Sequence, residues 1–494
     1  MNVTARFATA SIAIVVLVSM ATSGVGADTY PRQPGIDVEH YVFRLELSDQ
    51  RADLTGDATV SIRFLQANVA AVVLDLATPA AGKGMTVEHV STSTGAVTFR
   101  HVNHQLTLAL PSPPPAGARR EFTIRYRGVP ANGLRLIPNK YGDWSAFSEN
   151  WPNRAREWLP MVDHPYEKAT SEFIVTAPAK YQVVANGLLQ EELDLGDGRR
   201  RTHWKQSVPI ASWLNAIGVQ QFAVRYTGRV KDVELSTWVT YLDRDAGPPY
   251  FDEPARRALE FFSEFVGPYA YEKLANVAAA GISGGTEHAS VIFYGEKGVR
   301  PSPGTNLVAH EVAHQWFGNA VTERDWDDVW LSEGFATYFT HLYVEHFAGR
   351  DAMVAGLRRD ITTIAAEDKR LPGTPIVHRN LDDMSRVTNR LVYQKAGWAL
   401  HMLRGMLGTE RFRAAIRDYY ARFMNGSAST SDVREAFERA SGLALAWFFT
   451  QWFDRAGMPR LDGSWRYDPV ARRVQVTITQ TAQGGVYRLP IEIG

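Results

Sequence analysis

The residues best placed to do chemistry are His310, Glu311, His314 and Glu333. Positions i and i+4 of a helix share one face, so His310 and His314 can aim both imidazoles at one ion. Glu311 stands about 100° further round the same helix, which suits a base better than a ligand. A catalytic zinc takes three protein ligands and keeps a fourth position for water. Glu333 follows His314 after an eighteen-residue gap and supplies the third ligand. The pattern predicts one zinc ion on His310, His314 and Glu333, and hydrolysis by an activated water with Glu311 as general base.

Two helices must position these groups. Pro303-Gly304-Thr305-Asn306 reads as the start of the first and Gly318-Asn319 as its stop. Polar residues Thr322 to Asp327 make a turn, and Asp327 and Asp328 open the second helix. Its apolar residues include Trp330, Leu331, Phe335, Tyr338, Phe339 and Leu342. Glu333 sits among them, and a buried carboxylate needs a partner, which zinc provides. Asp325, Asp327 and Asp328 are candidates to accept an imidazole N–H and orient a ligand. His288, His341 and His346 read as structural.

Around that pair the chain changes character. From Asp37 to Phe222 it alternates in the manner of half-buried strands, as in 41–47, 58–64 and 122–126. After Tyr250 helical spacing takes over, at 253–266, 306–317, 328–347, 391–407, 411–424, 432–440 (Ser431 as N-cap) and 443–456. Beyond Pro459 strand-like alternation returns at 473–478 and 487–493. The expected fold class is multidomain α+β, with an N-terminal antiparallel β domain over 28–226, a mainly helical catalytic domain over 227–459 and a short C-terminal β segment over 460–494.

Composition narrows the possibilities. Lys+Arg and Asp+Glu balance at 53 each, so no net field recommends nucleic acid as a partner. The chain has 0 cysteines, which excludes a thiol nucleophile, a zinc–thiolate site and disulfides. Residues 1–27 have the pattern of an export signal: Arg6 near the start, an apolar run from Ala8 to Ala21, and small residues Val25-Gly26-Ala27 before Asp28. A periplasmic or secreted protein, with no stable membrane insertion after signal removal, is expected.

The motifs resemble the gluzincin zinc aminopeptidases of the aminopeptidase N type. The resemblance rests on His310-Glu311-x-x-His314, Trp316-Phe317-Gly318-Asn319 and Trp330-Leu331-Ser332-Glu333-Gly334-Phe335-Ala336. Asp37-Val38-Glu39-His40-Tyr41 is similar to the family's opening strand, and Tyr393-Gln394-Lys395 to its Y-x-K segment. It implies a thermolysin-like catalytic domain, a C-terminal β-sandwich segment that is short here, and peptide substrates with a free N-terminus. Gly284-Gly285-Thr286-Glu287-His288 looks like the element that binds substrate, with Glu287 holding its α-amine. Tyr393 matches the tyrosine that stabilises the oxyanion.

This chain departs from the pattern at several positions. Thr286 stands where Met is usual, His288 where Asn is usual, and Ala396 where Gly is usual. Glu149 replaces a Gln, and Trp151 replaces a second amine-binding acid. Residues i and i+2 of an extended segment share a face, so Glu149 is a candidate to supply the missing charge. Two other readings use the same zinc motif. One is a thermolysin-like endopeptidase or other hydrolase, whose second-helix glutamate usually falls one residue later. The other is a catalytically idle exported binding protein, against which the intact Glu311 counts.

Overall fold

Alternating apolar residues between Ile36 and Gln220 build three sheets in the computed structural model, which describes residues 28–481 and 485–491. The export pattern at 1–27 lies outside the described residues. The largest sheet runs in the order Leu188–Asp194, Arg199–Ala211, Lys168–Pro178, Ile36–Glu46, Leu54–Phe64, Arg119–Val129, Gly84–Thr92, Gly95–Ala96. In Leu54–Phe64 every second residue is buried, with Ala58, Val60, Ile62 and Phe64 on the core side. A four-stranded sheet (Gln182–Ala185, Ile217–Gln220, Trp144–Ser148, Leu134–Pro138) and a three-stranded one complete the domain. The expected all-antiparallel pairing fails at one place. Ile36–Glu46 and Lys168–Pro178 pair in parallel, from His40 opposite Thr170 to Glu46 opposite Thr176. A parallel pair needs a long crossover, and the chain between the two strands supplies it.

A five-stranded sheet joins this domain to the helices, in the order Phe222–Val230, Val233–Thr240, Lys273–Ala279, Val291–Gly295, Gly285–Thr286. Phe222–Val230 runs across residue 226 and pairs along its length with Val233–Thr240, so hydrogen bonding carries it whole into this sheet. The period of two assigns each central residue to one side. Leu274, Ala278, Ile292 and Tyr294 pack with the helices. Ala275, Val277, Ala279, Val291 and Phe293 pack into the core of the β domain. One sheet therefore closes both cores.

Eight α-helices follow among the described residues: α1 Gly247–Phe265, α2 Thr305–His314, α3 Trp330–Ala348, α4 Arg350–Arg370, α5 Ala396–Leu407, α6 Thr409–Phe423, α7 Thr430–Ser441 and α8 Ala446–Trp452. The sequence pattern does not show α4, because its buried side is thin: Met353, Gly356, Leu357, Ile364 and Glu367. Ser429 rather than Ser431 precedes α7. The Asp432 carboxylate accepts from the Ser429 N–H at 2.8 Å, one half of a capping box, and this places Ser431 inside the first turn. Leu461–Asp468 and Arg473–Gln480 form an antiparallel hairpin exposed along almost its whole length. The strand expected at 487–493 is not a strand over 487–491; the rest of that span lies outside the described residues. The Gln480 amide satisfies both the N–H and the carbonyl of Tyr487 in place of a ladder. No helix among the described residues is long and apolar enough to cross a membrane.

Candidate metal centre and its surroundings

Two glycines set how α2 packs, one against α1 and one against α3. A Cβ at Gly304 would lie 2.6 Å from the Tyr250 ring, so the start of α2 packs directly on that ring. Gly318 has φ +105, and a Cβ there would come 2.2 Å from Ser332 Oγ. The turn after α2 thereby lies against the first turn of α3, which carries Glu333 up to the two histidines.

The three ligand atoms converge. His314 Nε2 lies 3.2 Å from His310 Nε2 and 3.4 Å from Glu333 Oε2, and His310 Nε2 lies 3.7 Å from Glu333 Oε2. Zinc bonds of about 2.0–2.1 Å at tetrahedral angles separate ligand atoms by about 3.3 Å, so the donor set fits that ion. Glu333 Oε2 is buried with no hydrogen-bond partner, while Oε1 accepts from the Tyr393 hydroxyl at 2.6 Å. A buried carboxylate oxygen aimed between two imidazoles has a cation as its natural partner. Tyr393 reaches this position from a π-helical turn, Leu391–Lys395, and its ring stacks on His310 at 6.4 Å.

The orienting partners are not the three aspartates. His314 Nδ1 lies 2.9 Å from Ser332 Oγ and 3.2 Å from the Phe317 carbonyl oxygen, and the Ala336 backbone adds a weaker attraction on His310. Asp325 caps the turn at Asp327 N, Asp327 accepts from the N–H groups of Asn380 and Leu381, and Asp328 accepts from the Thr430 hydroxyl. Their oxygens are committed to backbone ends and one hydroxyl, so α2 and α3 themselves orient the imidazoles. Ser332, next to Glu333, was the available signal for this.

Glu311 packs its carboxyl on Gly285: a Cβ there would stand 2.4 Å from Oε1. Gly284, at φ +75, turns the chain into the edge strand Gly285–Thr286, and its carbonyl accepts from Gly295 N at 2.9 Å. Glu287 Oε1 lies 3.8 Å from His314 Nδ1, buried and without a hydrogen-bond partner. The backbone carbonyl of Glu287 is held by Asn319 Nδ2 at 2.5 Å and Gln315 Nε2 at 3.2 Å. The asparagine of the Trp316–Asn319 motif therefore has a physical task. Glu149 is also buried, but Arg135 Nη2 at 2.7 Å and the Arg154 guanidinium both bond its Oε2. Trp151 stacks edge-on between Trp213 at 4.6 Å and Trp326 at 5.0 Å. His288 bonds the Trp213 carbonyl through Nδ1, and burial pushes it down to about 4. His341 pairs with Asp360 and His346 lies against Phe261, so both are structural.

Charge in this pocket is strongly perturbed. Burial would raise Glu333, but the contacts with His310 and His314 outweigh it and hold the carboxyl at about 2. Burial would lower His314, yet Glu287, Glu333 and Glu311 lift it to about 10. Burial first and the Glu287 charge second push Glu311 well above the usual carboxylate range. Burial likewise raises Glu287 to about 6. Three buried carboxylates thus surround two imidazoles, an excess of negative charge that a divalent cation offsets.

A β domain sharing a sheet with a helical domain, and an H-E-x-x-H helix facing a distant glutamate, make up the architecture of a two-domain metallopeptidase. Comparison with known proteins agrees over most of the chain. Residues 37–214 match the peptidase M1 N-terminal domain and residues 251–452 the peptidase family M1 domain. Glutamyl aminopeptidase of Sus scrofa is 29% identical over 336 residues, 64% of this chain and 35% of its own length. Tricorn protease-interacting factor F2 of Thermoplasma acidophilum is 27% identical over 321 residues, 62% of this chain and 40% of its own. The chain thus spans roughly a third of the length of the curated relatives it matches. The crystal structure of an M1 zinc metallopeptidase from Deinococcus radiodurans superposes with a TM-score of 0.75 at 25% identity, over 88% of this chain and 96% of that one. The chain belongs to peptidase family M1.

Proposed function

We propose that this chain is a zinc aminopeptidase that hydrolyses the first peptide bond of peptides bearing a free N-terminus. The observation that carries the reading is Glu287 Oε1, a buried carboxylate oxygen with no hydrogen-bond partner, 3.8 Å from His314 Nδ1. An α-ammonium is the group that satisfies it, and internal peptide bonds present none.

Zinc on His310, His314 and Glu333 supplies Lewis acidity and lowers the pKa of water at the site. Glu311 takes one proton from the attacking water as its oxygen bonds the carbonyl carbon. It then delivers that proton to the leaving nitrogen as the C–N bond breaks. The Tyr393 hydroxyl, shared with Glu333 before substrate binds, donates to the developing oxyanion. Gly284 and Gly285 keep the sheet edge free of side chains, so substrate backbone can approach beside Glu311.

The reading extends to one zinc per chain and to export, the latter supported by the residue pattern at 1–27. N-terminal sequencing of mature protein is expected to start at Asp28. Aminoacyl amides, free and N-acetylated, test the activity alongside Glu287→Ala. Only the free series is expected to turn over, and the variant is expected to lose about 2–5 kcal/mol in kcat/KM, the worth of a buried charge pair. Equal turnover of both series overturns the aminopeptidase reading.

A further inference from the structure

Lys168 belongs to the eight-stranded sheet, yet its ammonium is spent in the other domain. Nζ donates to the carbonyl oxygens of Asn319 at 3.0 Å, Ala320 at 3.1 Å and Gly426 at 3.0 Å. These use all three hydrogens of an ammonium. Asn319 and Ala320 form the turn that leaves the metal helix, where Asn319 N donates to the His314 carbonyl at 3.1 Å. The Asn319 side chain in turn holds the Glu287 carbonyl at 2.5 Å. Two hydrogen bonds therefore connect Lys168 to the backbone of Glu287.

Burying an ammonium is costly unless every donor is satisfied and a counter-charge is near. Glu323 is the acid that attracts it, but burial dominates both groups, lowering Lys168 to about 7 and raising Glu323 to about 8, so the three carbonyl contacts hold Lys168 more than a charge pair does. Glu323 is buried, neither of its carboxylate oxygens has a hydrogen-bond partner, and its strand pairs with Gly426–Ala428. The rest of the segment around Glu287 is also held from the β domain. Arg135 bonds the Gly281 carbonyl, Asn186 Nδ2 donates to the Ala289 carbonyl at 2.7 Å, and Gly187 N donates to Ser290 Oγ at 2.8 Å.

We propose that Lys168 is a positioning residue: by fixing the Asn319 turn it sets where Glu287 stands relative to His310, His314 and Glu333, and so how well a free N-terminal amine binds. This rests on the amine-binding role of Glu287. In the full metal-loaded chain, Lys168→Met is expected to raise KM for free aminoacyl amides about tenfold, with kcat within about threefold. In a Glu287→Ala background the same substitution is expected to change kcat/KM by less than about twofold, because the interaction it positions is gone.

A tenfold penalty that persists in the Glu287→Ala background, or a loss confined to kcat, overturns the proposal while leaving Glu287 its role. A Glu287→Ala variant with unchanged KM instead removes the amine-binding reading, and the Lys168 proposal falls with it. Should Lys168→Met fail to fold, Lys168→Arg goes through the same cycle, and the same two results support or overturn the proposal. It keeps the charge but alters the donor geometry on the turn.

Discussion

The metal triad and the segment Gly281–Ser290 meet at one site but are held by different parts of the molecule. His310, His314 and Glu333 take their orienting contacts from Ser332, Phe317, Ala336 and Tyr393, all within the helical domain. The segment carrying Glu287 is held from both domains: Arg135, Asn186, Gly187 and Trp213 of the β domain hold its flanks, and Asn319 and Gln315 hold the Glu287 carbonyl. Bond-breaking is thus a local property of two helices and a turn. On the proposed function, selection of a free amine is a property of the domain interface. Substitutions on the two sides should accordingly fail in different kinetic terms.

Glu311→Gln is the most severe test of the first half. It keeps the packing on Gly285 and removes the proton acceptor, so kcat is expected to fall by about 10²–10⁴-fold with bound zinc unchanged. Metal analysis of the purified variant separates loss of the base from loss of the ion. A variant retaining more than a tenth of wild-type kcat removes Glu311 from the mechanism.

Gly285→Ala probes the seam between the two regions. The added Cβ would stand 2.4 Å from Glu311 Oε1 and Cδ, so the carboxyl must move. A displacement of about 1 Å of a catalytic group costs about 10²-fold. The loss is expected in kcat, although Gly285 lies on the substrate-binding segment. If KM alone changes, the two regions are less separable than their contacts indicate.

How far this division was legible in the sequence depends on where each interaction lives. Ligands at i and i+4 on one helix, with Glu333 in the W-L-S-E-G-F-A segment, are local patterns and could be read directly. The central sheet could not, because Lys273–Ala279 is buried on both faces and shows no alternation. The α4 helix was hidden by its thin apolar stripe, and Ile361, Thr362 and Thr363 add weak helix formers. The partners of His314 carry no charge pattern to read, being a hydroxyl and a backbone carbonyl. Lys168 gave no signal at all, since its partners are backbone carbonyls more than 150 positions away.

Ser332→Ala sharpens the metal side with a smaller effect. It deletes the 2.9 Å contact to His314 Nδ1 but leaves the Phe317 carbonyl at 3.2 Å, so one orienting partner remains. Partners of this kind are worth about 10–100-fold in metal affinity, and the lower end is expected here. Chelator competition measures it directly. KM for substrate, measured with zinc in excess, should stay within about twofold if the triad is independent of the amine-binding segment.

The smallest effect is expected from Glu149→Gln, which separates two buried acids at the amine end. Glu287 Oε1 has no hydrogen-bond partner, whereas Glu149 Oε2 is bonded by both Arg135 and Arg154. Those guanidinium side chains are 31% and 34% exposed, so water and salt screen the charge they would carry once Glu149 is neutral. Little of the Glu149 charge is left for a substrate ammonium. Its removal should raise KM by no more than about threefold, against the roughly 30-fold or greater loss expected for Glu287→Ala. A comparable loss at both positions would mean that the two carboxylates share the amine. The β domain would then contribute a direct substrate contact as well as the support of Glu287.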